Sequence, residues 1–131
     1  TNTGGKVYHQ KSVIGIVDDD DDFRETLGEL LSSIGYQVEL FSSAGQCIRA
    51  ADTALSACLL VDIHLGDMTG LELVRHLLNA GHSVPIIFMT GAYDADIHGQ
   101  ARELGCVGLL QKPFFPSELL ETLSRATSHD S

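Results

Sequence analysis

Five residues in this 131-residue chain carry groups able to do chemistry together, and each closes a short apolar run. Asp18 and Asp19 follow the run at 13–17, Asp62 follows 57–61, Thr90 follows 85–89, and Lys112-Pro113 follows 107–110. Singly, each is an ordinary solvated end-of-strand residue. Jointly they imply three carboxylates, a hydroxyl and an ammonium on one edge of a sheet. Carboxylates so close repel and raise one another's pKa, so the group calls for a cation. An all-oxygen ligand set suits Mg²⁺, with Mn²⁺ able to substitute. A carboxylate nucleophile beside a divalent cation and a lysine is the chemistry of phosphoryl transfer, where positioning and charge neutralisation supply most of the catalysis.

Five of the 18 acidic residues stand in the block Asp18–Asp22. A calcium loop starting at Asp18 would need glycine where Phe23 stands, and that reading contradicts the helical pattern that follows. Asp20, Asp21 and Asp22 are instead expected as loop or cap at a helix start, where unpaired amides favour negative charge.

The elements that must position these groups alternate in kind. Residues 13–17, 57–61 and 85–89 are nearly continuous apolar runs, as in strands buried on both faces. Tyr36, Val38 and Leu40 alternate like a strand, and 107–110 forms a fifth short run. Between them, Phe23, Leu27, Leu30, Leu31 and Ile34 make one helical stripe stopped at Gly35. Ser42 or Ser43 can cap a short helix to about Ala51, and Thr69 one carrying Leu71, Val74 and Leu78 and stopped near Gly81. A weaker helix spans 93–104 with Gly99 inside it and Gly105 after it, and Pro116 opens a last helix with Leu119, Leu120 and Leu123. The pattern is (βα)5: a doubly wound, five-stranded parallel sheet with helices on both faces. In such sheets function sits beyond the carboxyl ends of the strands.

The length fits one domain, with 1–11 a flexible lead-in or tag remnant, 12–127 the folded unit and 128–131 a tail. A net charge of −10 repels phosphate backbones, so neither nucleic acid nor an anionic membrane is an expected partner. No apolar run approaches the ~20 residues of a membrane span and no secretory leader is visible, which points to the cytoplasm. Cys47, Cys58 and Cys106 are odd in number and lack a Cys-x-x-Cys pair, so they are expected as reduced thiols. His76, His82 and His98 are expected at surfaces or helix ends.

The segments Val17-Asp18-Asp19, Asp62-Ile63-His64-Leu65-Gly66-Asp67-Met68-Thr69-Gly70, Met89-Thr90-Gly91 and Lys112-Pro113-Phe114 resemble, in this order, the response-regulator receiver family of two-component signalling. The resemblance covers about residues 12–127 and implies a flavodoxin-like fold. It makes Asp62 the phosphoacceptor for a phosphoryl group from a histidine kinase or phosphotransfer protein. It makes Asp19 a direct and Asp18 a largely water-mediated Mg²⁺ ligand, with the backbone carbonyl of His64 a further one. Thr90 becomes the switch hydroxyl and Lys112 the phosphoryl contact, with a cis Lys112–Pro113 bond. The fourth helix, fifth strand and fifth helix would form the output and homodimer face. Such a domain is a signalling switch rather than an enzyme acting on other substrates. Two residues depart from the family. Gly66 stands where proline is usual, so the loop is expected to be looser. Leu109 stands where an aromatic ring usually turns inward with the switch hydroxyl, so a smaller change on that face is expected. The His64 side chain is expected over the mouth of the site.

Two other functions fit parts of the pattern. A degenerate receiver would dock partners without phosphorylation. A haloacid-dehalogenase-type phosphatase would use Asp18-x-Asp20 on strand 1, but lacks a later acidic pair.

Overall fold

The computed structural model describes residues 12–51 and 56–127. The lead-in and tail boundaries expected at 1–11 and 128–131 lie outside the described residues. Strands β1 (Val13–Val17), β2 (Gln37–Phe41), β3 (Cys58–Asp62), β4 (Ile86–Thr90) and β5 (Gly108–Gln111) alternate with helices α1 (Asp21–Ser33), α2 (Ala44–Ala51), α3 (Gly70–Asn79), α4 (Ala95–Glu103) and α5 (Pro116–Thr127). The sheet is wholly parallel in the order β2-β1-β3-β4-β5.

Period-two alternation divides the core between the two faces. Ile14, Ile16, Cys58, Leu60, Ile87 and Met89 pack with Leu27 and Leu31 of α1 and Leu119, Leu123 and Ala126 of α5. Leu59, Val61, Ile86 and Phe88 pack instead with α2, α3 and Ala101 of α4. β3 and β4 are buried along their whole length, which is why their sequences read as unbroken apolar runs. The chain order reverses between β1 and β3, so the crevice where ligands bind in such sheets opens at Asp18, Asp19 and Asp62.

Helix ends follow their local chemistry. Asp20 caps α1 by accepting from the Phe23 amide, and Asp21 and Asp22 occupy its first turn. Thr69 and Glu72 form a reciprocal capping box on α3. Gly35 and Gly81, at φ +107 and +89, take the left-handed turns that close α1 and α3.

Two large apolar residues of these elements lie away from the core. Leu78 is 45% exposed, and the buried face of α3 is formed by Leu71, Leu73, Val74 and Leu77. That face is centred one position earlier, and Leu78 lies about 100° beyond Leu77 around the helix. Leu40 is 42% exposed because β2 is an edge strand covered only in part by α1.

Gly70 begins α3 pressed against the end of β3. A Cβ there would run into the Asp62 carbonyl oxygen and stand 2.8 Å from Val61 Cγ1. Gly99 in α4 has nothing within 4 Å of its Cβ position. Gly70→Ala should therefore destabilise the fold by about 1–3 kcal/mol in urea denaturation. Gly99→Ala should stabilise it by about 0.5–1 kcal/mol. Equal effects of the two substitutions would contradict this packing.

Candidate functional site

The carboxyl ends of β1, β3 and β5 bring the acidic pair, Asp62 and Lys112 together. Carboxylate oxygens of Asp18, Asp19 and Asp62 lie within 4.8 Å of one another. Asp18 is fully buried, Asp62 is buried, and Asp19 is exposed. Lys112 Nζ lies 2.8 Å from Asp18 Oδ2 and 3.6 Å from Asp62 Oδ2. The ammonium also sits 4.1 Å from the centroid of the Phe23 ring, which in turn meets Phe114 edge-on. A cation over a ring face is attracted by the ring quadrupole, so Phe23 helps hold Lys112 inward. The Lys112–Pro113 bond is cis.

Backbone amides complete the hydrogen bonding of the buried carboxylates. Asp18 Oδ1 accepts from the Asp20 amide at 2.9 Å, and Asp62 Oδ1 from the His64 amide at 3.2 Å. Burial pushes the Asp62 carboxyl above its ordinary value; Lys112 opposes the rise, Asp18 adds to it, the His64 amide lowers it and Asp19 raises it. An all-carboxylate cluster with an exposed member and one adjacent lysine fits a hard, oxygen-seeking divalent cation.

Thr90 is fully buried at the end of β4, but its hydroxyl donates to the Ala92 carbonyl at 3.1 Å, within its own loop. Lys112 continues the sheet by donating its amide to the Thr90 carbonyl at 2.7 Å. The His64 side chain is exposed, and its backbone forms a bridge to Thr69 across the β3–α3 loop. His76 is exposed, and His98 stacks 4.5 Å from the Tyr93 ring. The three thiols are free, and burial raises Cys47 to about 11 and Cys58 to about 12.

Two residues of the site were not singled out in the sequence. Arg24 is buried and donates to the Asp18 carbonyl oxygen at 2.6 Å while pairing with Asp21, so it braces the turn bearing the acidic pair. The available signal was one cation two residues after the end of a block of five acids. Asp67 ties the β3–α3 loop to the start of α2 through the Ala44 and Gly45 amides. The loop expected to be loose at Gly66 is thus fastened at the next residue.

A raised carboxyl pKa fixes a sign. Where the folded value exceeds the unfolded one, the ionised group costs stability above the folded value, and the cost fades as pH falls towards the unfolded value of about 3.9. Metal-free Asp62→Asn should therefore be more stable than the parent at neutral pH, with the gap closing towards that value. Urea denaturation in chelator across pH 4–7 checks this; a less stable variant at pH 7 would refute it.

Known proteins match this arrangement. The family described as the response regulator receiver domain matches residues 14–124. Response regulator protein TodT of Pseudomonas putida is 38% identical over 115 residues, covering 88% of this chain and 51% of that protein. Transcriptional regulatory protein FixJ of Rhizobium meliloti is 31% identical over 116 residues, covering 88% of this chain and 57% of that protein. The chain thus spans about half the length of these curated relatives. The crystal structure of FixJ-N superposes with a TM-score of 0.84 at 31% identity, covering 92% of this chain and 96% of that one. Chemotaxis protein CheY4 of Vibrio cholerae superposes at 0.81 with 27% identity, covering 88% and 98%.

Proposed function

The chain belongs to the response regulator receiver domain family, and on that premise we propose that it is a Mg²⁺-dependent switch phosphorylated on Asp62 by a histidine kinase or phosphotransfer protein. The observation that carries this reading is the convergence of Asp18, Asp19 and Asp62 on one point with Lys112 beside them. Among the described residues no helix is long and apolar enough to cross a membrane, which accords with action in the cytoplasm.

Asp62 is the nucleophile. Its carboxylate oxygen forms a bond to phosphorus as the nitrogen–phosphorus bond of the donor phosphohistidine breaks and the imidazole leaves with the electron pair. Asp18, Asp19, Asp62 and the His64 carbonyl would hold Mg²⁺, which when bound neutralises charge on the transferring phosphoryl group. Asp62 already stands against the Lys112 ammonium, so the same cation is within reach of an oxygen added to that carboxylate. Arg24 and the Asp20 amide keep the acidic turn in place throughout. The domain transfers the group to itself and releases it by hydrolysis rather than turning over an external substrate.

Thr90 couples the site to a surface. To reach a phosphoryl oxygen, its hydroxyl must give up its bond to the Ala92 carbonyl, and that exchange moves residues 91–94. The helix beyond them, α4, has only Ala101 among its buried residues, whereas α3 has five. Motion therefore passes more readily into α4, which together with β5 and α5 makes up the face proposed for partner binding or homodimer formation.

Intact-mass measurement after treatment with acetyl phosphate and Mg²⁺ should show one added phosphoryl group in the parent and none in Asp62→Asn. An unlabelled parent would favour a docking module that works without phosphorylation. Beryllofluoride with Mg²⁺ should shift amide resonances across 91–112 as well as at Asp18, Asp19 and Asp62. Silence across 91–112 would mean that occupancy is sensed and not transmitted.

A further inference from the structure

The β3–α3 loop passes directly over the acidic cluster. A Cβ on Gly66 would stand 3.6 Å from Asp19 Oδ2, so the loop backbone lies against the exposed carboxylate of the pair. The ends of the loop are fixed: the His64 amide bonds Asp62, and the Gly70 amide donates to the Ile63 carbonyl at 2.7 Å. Its middle has glycine at 66, a residue with no side chain to fix the backbone.

The tie comes from Asp67. Its Oδ1 accepts from the Ala44 amide at 3.2 Å and the Met68 amide at 3.1 Å, and its Oδ2 from the Gly45 amide at 3.0 Å. Ala44 and Gly45 are the first two residues of α2, whose first turn has no acid of its own. The next amide of that turn is already served locally, since Ser43 Oγ accepts from Gln46. Asp67 therefore reaches across 22 and 23 residues of sequence to the two amides left over. The Gly45 amide above all holds the Asp67 carboxyl below its ordinary value, so it remains ionised and bonded at neutral pH.

We propose that Asp67 is a positioning residue for the phosphoryl-transfer site: its clamp on the start of α2 holds the backbone of residues 64–66 over Asp19, where the His64 carbonyl can serve the metal. The inference rests on reading the acidic cluster as a Mg²⁺ and phosphoryl site. A clamp of this kind acts on a metal by orienting its ligands, and losing such support typically weakens metal binding by about tenfold or more.

The test compares the parent, Asp67→Ala, Asp67→Asn and the double variant Asp67→Ala/Gly66→Pro. Gly66 does not have positive φ, and among the described residues its Cβ position meets only Asp19 Oδ2, at ordinary contact distance, so a proline ring there, by fixing φ, is the substitution chosen to stiffen the loop without the clamp. Mg²⁺ affinity is read by titration calorimetry, and loop order by amide hydrogen exchange of residues 64–68 in chelator. Asp67→Ala should bind Mg²⁺ about tenfold more weakly and exchange faster at 64–68. Phosphorylation by acetyl phosphate should slow at limiting Mg²⁺ and recover at saturating Mg²⁺. Proline in the double variant should restore much of the affinity without restoring the cap on α2. Asp67→Asn, which keeps one oxygen acceptor, should fall between, and it carries the comparison if Asp67→Ala does not fold. A lower melting temperature with Mg²⁺ affinity unchanged in both single variants would make Asp67 a helix cap alone and overturn the proposal. A parent that neither binds Mg²⁺ nor takes a phosphoryl group would overturn this proposal together with the functional reading beneath it.

Discussion

One lysine among three carboxylates sets the terms for the carboxyl edge of this sheet. Asp18 is completely buried, a position that costs several kcal/mol of lost hydration, and it is held there by Lys112 at 2.8 Å and the Asp20 amide at 2.9 Å. That pair uses most of what Lys112 can give. Asp62, at 3.6 Å from the same nitrogen, keeps a carboxyl pushed up by burial. The edge is therefore short of positive charge in the isolated protein. A site poised to receive a cation and then an anion is less stable before they arrive, and it gains from each in turn.

The sheet below tolerates this because its load is apolar and continuous. β3 is buried on every residue up to Asp62, and β4 up to Thr90, so the reactive groups emerge from the most rigid part of the molecule. Around them the polar turns are braced from outside. Arg24 holds the Asp18 carbonyl, and Asp67 holds the loop after Asp62. Among the described residues, the segment after Thr90 has no comparable brace. Its hydroxyl bonds only within the turn, and the following helix is thinly anchored. The braced and unbraced parts of the edge are thus separated by turn: the turns after β1 and β3 are tied to their surroundings, and the turn after β4 is tied to itself.

The legibility of these features in the sequence follows the same division. β1, β3 and β4 could be read because a strand buried on both faces must be apolar at every position, and the residue after each run then marks the edge. Asp18, Asp19, Asp62, Thr90 and Lys112 stand at strand ends for the same reason. Edge positions were less legible: Leu40 and Leu78 look like core residues, yet the sheet ends beside one and the helix turns past the other. The braces were barely legible: the acidic block before Arg24 hinted at a pairing with Asp21, and nothing marked the backbone partners. Arg24 and Asp67 bond to backbone groups, a carbonyl in one case and two amides in the other. Every residue carries such groups, so no side-chain pattern marks the partner.

Leu109 bears on how the edge communicates with its surface. It is half-buried against the cluster that contains Phe88 and Ala101, and it lines a cavity of about 270 Å³ between α4 and β5 together with His98, Ala101 and Cys106. An aromatic side chain there could carry a movement outward by turning its ring; leucine has no ring to turn. What remains is the backbone itself. Lys112 donates its amide to the Thr90 carbonyl, so the strand end that bears the hydroxyl and the strand end that bears the ammonium are bonded to each other. A force on either group is shared by both, and it reaches β5 through that hydrogen bond whether or not a ring is present. For the proposed switch, the connections available from the edge to that surface are the β4–β5 ladder and the turn after Thr90.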